Sequence, residues 1–124
     1  MTADYCTLHV NNIVVRCCQR SGIRGISGSI IKISGPKTRV EENCLQGHHQ
    51  DYGLKARDQT ATIQIVAPLC KEMISSNNKH VNNCECGCHE VSCDWGGDGL
   101  FEIVDDHGER ITTVYEHGSL VPMY

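Results

Sequence analysis

Apolar and polar residues alternate in short runs along most of the chain, and the breaks between runs fall at glycine, proline or asparagine. In "YCTLHVNNIVVRCC", Cys6, Leu8 and Val10 share one side. After Asn11-Asn12, a dipeptide that tolerates positive φ, Ile13 and Val15 or Val14 resume, which predicts a hairpin. The glycines of "SGIRGISG" break any helix, and the β-branched run "SIIKIS", closed by Gly35-Pro36, predicts a strand. Residues 37–50, "KTRVEENCLQGHHQ", have no clear period and read as a loop or ragged edge.

"DYGLKARDQTATIQIVAP" predicts two short strands, with Ile63, Ile65 and Ala67 on one face and a stop at Pro68. "APLCKEMISS" is the one good helix candidate: Pro68 suits a first helical turn, and Leu69 with Met73 and Cys70 with Ile74 stack at i, i+4. "GLFEIVDDHGERITTVYEHG" reads as a second hairpin turning at Asp106-His107-Gly108, with Phe101, Ile103, Ile111 and Val114 as core. These elements together predict a single α+β domain over 1–124, a mostly antiparallel β-sheet with one or two short helices. No internal repeat stands out.

A length of 124 residues suffices to bury a core. The net charge of -4, without a run of Lys and Arg, argues against binding nucleic acid through a basic stripe and leaves room only for a small local RNA contact. No stretch is long and apolar enough for a membrane span, and "MTADYCTLHV" is not built like a signal peptide, so the expected location is the cytoplasm. Nine cysteines is an odd count for a disulfide scaffold, which favours reduced thiols.

The cysteines concentrate in "NNCECGCHEVSC". One reading makes Cys86, Cys88, His89 and Cys93 zinc ligands, with Cys84, His80 or Cys44 available to complete a set, although the spacing lacks the usual C-x2-C pair. A second places the catalytic set at Cys84, His49 and Asp51: Cys84 as a nucleophile near a helix start, with His49 brought close by the fold on the same strand face as Asp51. The remaining cysteines, among them Cys6, Cys17, Cys18 and Cys70, include small buried hydrophobes. His9, His107 and His117 read as ordinary strand and turn residues, Trp95 as a core anchor, and no P-loop, HExxH, GxSxG or GxGxxG occurs.

Several segments taken in order resemble the H-box/NC family of lecithin retinol acyltransferase and the phospholipase/acyltransferases. "GSIIKI" is similar to its first strand, "DYGLKARD" to the H-box, "IQIVAP" to the next strand, "NNCE" to the NC motif and "CDWG" to the Cys-x-aromatic-Gly behind it. Aligned on Tyr52-Gly53, the H-box histidine position holds Asp51, with His49 two residues earlier. The resemblance implies an NlpC/papain-like fold in which Cys84 attacks an acyl ester and His49 moves the proton. It lies closest to the H-box/NC type of picornaviral 2A protein. That implies a small protein of the host-cell cytoplasm that supports replication through host-protein or RNA contacts, with degenerate or no acyltransferase chemistry. An active thiol acyltransferase or hydrolase using Cys84, and a zinc-stabilised Cys/His-rich binding module, remain as alternatives; only the last needs a cofactor.

Overall fold

The computed structural model describes residues 1–45, 50–78, 94–105, 107, 109–116 and 119–122, the last two segments as backbone. The first coil of the chain runs through β1 (Thr2–Asp4), β2 (Thr7–Asn11) and β3 (Val14–Arg16). The second runs through β4 (Ile23–Ile26), β5 (Ile30–Ser34) and β6 (Arg39–Glu41), and the third through β7 (Leu54–Ala56), β8 (Thr62–Val66), the single turn α1 (Lys71–Ile74) and β9 (Ser75–Ser76). A fourth, partial coil holds β10 (Trp95–Gly96) and β11 (Leu100–Val104), followed by β12 (Arg110–Glu116) and β13 (Ser119–Pro122). Each strand pairs with its counterpart one coil on, giving a first sheet β1-β4-β7-β10, a second sheet built on β2-β5-β8-β11 and a third sheet β3-β6-β9.

The result is a three-faced parallel β-solenoid, which corrects the expectation of a mostly antiparallel α+β sheet and, with it, the papain-like arrangement. Alternation signals that one face of a strand is buried, and one-sided sheets are usually antiparallel because a parallel neighbour needs a long crossover. In a coil the two other faces serve as that crossover. The hairpin expected at Asn11-Asn12 is a corner instead: Asn12 takes φ 51° and sends β3 into a different sheet from β2. Among the described residues antiparallel pairing occurs only where β12 closes on β11 and β13 on β12, so the hairpin expected near the C-terminus is present. The expected helix shrinks to α1, and the expected loop over 37–50 contains β6.

Inward residues stack coil on coil. Leu8, Ile31, Ile63 and Phe101 form one column and Val10, Ile33, Ile65 and Ile103 the next. Ile31, Ile33, Ile63 and Ile65 are fully buried, each contributing on the order of 1.5–3 kcal/mol of apolar burial. On the first sheet Ile23 stacks on Leu54, and Leu54 on Trp95.

The corner after the third sheet is locked by polar side chains. Cys17, Glu42 and Asn77 occupy the same place in successive coils, and all take the left-handed conformation, at φ 59°, 58° and 51°. The next residues are Cys18, Asn43 and Asn78, and they form a ladder along the axis. Asn78 Oδ1 accepts from Asn43 N and Nδ2, both at 3.1 Å, and its Nδ2 donates to Val40 O and Ser75 Oγ. Asn43 Nδ2 donates to Val15 O, and its Oδ1 accepts from Cys18 N. Polar groups at a buried bend are thus satisfied from the neighbouring coil, as burial requires. Gly53 leaves the space this needs: a Cβ there would stand 2.2 Å from Asn78 Nδ2.

Candidate anion-binding face

On the first sheet Ile23 and Gly25 point inward, so Arg24 points out; Leu54 and Ala56 point inward, so Lys55 points out. Parallel register places Arg24 beside Lys55, one strand spacing of about 4.8 Å away. Arg57 continues the strand, its amide donating to Gly25 O at 2.9 Å, and Arg20 enters from the preceding turn. Four cations far apart in sequence therefore share one face of a chain whose net charge is -4.

Asp51, expected as a third catalytic residue, lies in this cluster. Its carboxylate is buried, with oxygens 3.4 and 3.5 Å from Arg20 Nε, so it holds Arg20 in place. Lys55 is 9% exposed and donates to Gln50 O at 2.6 Å. Burial pushes its ammonium below the ordinary lysine range; Asp51 opposes the shift, while Arg24, Arg20 and Arg57 add to it. Arg24 Nε is buried and has no hydrogen-bond partner among the described residues. Beside these groups Gln50, Tyr52, Lys55, Arg57, Gly97 and Asp98 enclose a hollow of about 310 Å³. Tyr52 forms its wall by lying over Gly96, where a Cβ would come within 2.5 Å of the ring.

The charge balance decides what this face can do. Counting Asp51 and Asp98 against the four cations leaves an excess of two positive charges around a desolvated ammonium and an unsatisfied guanidinium N–H. Such a site favours a phosphate or carboxylate, which accepts charge-assisted hydrogen bonds and relieves the crowding of like charge. A larger hollow of about 580 Å³ on the outer face of the second sheet, between Lys32, Ser34, Pro36, Val66 and Pro68, has Lys32 as its single cation.

The rest of the expected site falls differently. Cys84, Cys86, Cys88, His89, Cys93 and His49 lie outside the described residues. Among the described residues no three His, Cys, Asp or Glu side chains come together to hold a metal, and no helix is long and apolar enough to cross a membrane. Of the four thiols among which buried ones were expected, Cys6 and Cys17 are exposed and Cys18 and Cys70 half-buried; Cys44, a candidate to complete the zinc set, is fully buried.

Lys71 was not anticipated. It sits inside the coil with Nζ 4.5 Å from the Trp95 ring centroid, and burial lowers its pKa to about 8. Comparison with family models, curated proteins and solved structures finds no match.

Proposed function

We propose that this chain is a binding module that holds a phosphate- or carboxylate-bearing ligand on the outer face of its first sheet. The observation that carries this reading is the juxtaposition of Arg24, whose Nε has no hydrogen-bond partner among the described residues, with the buried Lys55 in adjacent coils. Arg57 and Arg20 enlarge the positive field, Asp51 orients Arg20, and Tyr52 walls the hollow. Asp51 is engaged as an ion-pair partner, which supports binding over acyl chemistry at this end of the site. Of the partners implied by the H-box/NC resemblance, RNA fits this face best, since its backbone is a run of phosphates, and four cations suit a contact with a few of them.

Calorimetric titration with tripolyphosphate, citrate and a short oligouridylate at low salt tests the reading. Binding of at least one probe, weakened by added salt and weakened at least about tenfold by Arg24→Gln, is expected. Equal heats for wild type and Arg24→Gln with all three probes would refute it. Binding of the oligonucleotide no tighter than tripolyphosphate would remove RNA as the partner and leave the small anion.

A further inference from the structure

Among the described residues, the outer edges of the first coil pair with no strand. β1, β2 and β3 are edge strands of the three sheets. Ile30 N donates to Cys6 O, and Asn12 N donates to Ser34 O, so the even-numbered residues of this stretch turn their backbone groups toward the second coil. Strand alternation then points the N–H and C=O of Thr7, His9 and Asn11 away from the protein. In the same way Met1 O and Ile13 O face the second coil, leaving Thr2, Asp4, Val14 and Arg16 pointing out. Inside this ring Leu8, Val10, Ile13 and Val15 are only partly buried, whereas Ile31, Ile33 and Val40 in the coil above are sealed. An apolar cross-section bordered by open strand edges is what a solenoid end must cover.

We infer that this end is a self-association surface, taken by the first coil of a second copy related by a two-fold axis through His9. The coil is symmetric about that residue: β2 is centred on it, and β1 and β3, three residues each, lie equally far to either side. The axis turns every strand antiparallel to its mate and places His9 opposite the partner's His9, Thr7 opposite the partner's Asn11, Thr2 opposite the partner's Arg16 and Asp4 opposite the partner's Val14. In each of these pairs both residues point their backbone groups outward, so each is a hydrogen-bonded pair that exchanges two bonds. The inward residues match as well, Leu8 meeting the partner's Val10 and Ala3 the partner's Val15, which closes the open core. Charge agrees with the same register. No Asp, Glu, Lys or Arg faces a like charge, and Asp4 falls diagonal to the partner's Arg16, within reach of a long side chain. Arg16 also reaches Glu41 and Glu42 in the second coil of its own chain, which keeps it on this edge. The contact is strand addition at a sheet edge, repeated on all three faces.

Sedimentation equilibrium of the whole chain, in reducing buffer near pH 7.5 and over about 1–500 µM, should show a monomer–dimer equilibrium. His9→Pro removes an outward N–H and no bond to β5, so the coil should persist by circular dichroism while the dimer dissociation constant rises about a hundredfold. A chain that is monomeric throughout, or a dimer whose affinity His9→Pro changes less than about twofold, overturns the inference. If His9→Pro disrupts the fold, amide exchange in the wild type decides. Protection of the His9 amide that rises with protein concentration supports the pairing, and an unprotected His9 amide at concentrations where the chain is dimeric refutes it.

Discussion

Replacing Asn78 by Ala should cost far more than its size suggests. The side chain is 1% exposed and accepts two hydrogen bonds from Asn43, one from the backbone N–H and one from Nδ2. Its removal leaves that backbone N–H unpaired in a dry corner, together with one proton of Asn43 Nδ2; the other proton still serves Val15 O. Orphaning a buried donor costs about 1–3 kcal/mol, so two give roughly 2–6 kcal/mol before any lost packing. Against a domain stability of roughly 5–15 kcal/mol that is a large fraction, and Tm should fall by about 10 °C or more. The control is Asn77→Gly, one residue earlier: Asn77 is exposed at φ 51°, a conformation glycine adopts freely, so stability should change by less than about 0.5 kcal/mol. Urea unfolding with equal slopes for wild type and both variants gives the comparison. A loss below about 1 kcal/mol for Asn78→Ala would show that the ladder is not what holds the coils in register.

Two glycines should separate space from backbone strain. Gly53→Ala drives a Cβ to 2.2 Å from Asn78 Nδ2 and 2.5 Å from Ser75 Oγ and should cost about 1–3 kcal/mol, whereas Gly28→Ala, at φ 77° with open space around it, should cost only about 1 kcal/mol of strain; thermal unfolding of the pair checks both. Lys71 binds fewer protons folded than unfolded between its pKa of about 8 and the ordinary 10.5, so it makes stability rise with pH across that window, by up to about 3 kcal/mol. Lys71→Met should remove that rise, read as the difference between variant and wild-type urea midpoints at pH 7.5 and pH 10; parallel pH profiles would refute it. Because Lys55 is also lowered, anion binding should fade on the alkaline side at a lower pH than an ordinary lysine would give, and a titration from pH 7 to 10 that stays flat contradicts this.

The strand at 30–34 is legible in its β-branched run and those at 62–66 and 100–104 in their alternation. A stronger signal lies in the same segments: "TLHV", "IIKI", "TIQI" and "LFEI" each read as one residue, then apolar, polar, apolar, and these are the aligned positions of the second sheet. The repeat is hidden because the corners between the motifs differ in length: Ile23 aligns with Leu54, but Leu54 with a residue as distant as Trp95. Variable spacing defeats a search for a fixed period. The same irregularity separates Arg24 from Lys55 and Asn43 from Asn78, so neither the cationic face nor the ladder exists as a local motif. Lys71 was unreadable for a different reason: a lysine in a helical stretch is normally solvent-facing, and only the wrap of the third coil turns it inward.

The most direct test of the central claim is a double-mutant cycle of Arg24→Gln and Lys55→Gln on the dissociation constant for tripolyphosphate. If the coils bring both side chains to one anion, each single change weakens binding at least about tenfold and the double variant loses clearly less than the product of the two. Single effects within about twofold of wild type, or losses that simply multiply, would mean that Arg24 and Lys55 do not share a ligand and that the face assigned here is not a binding site.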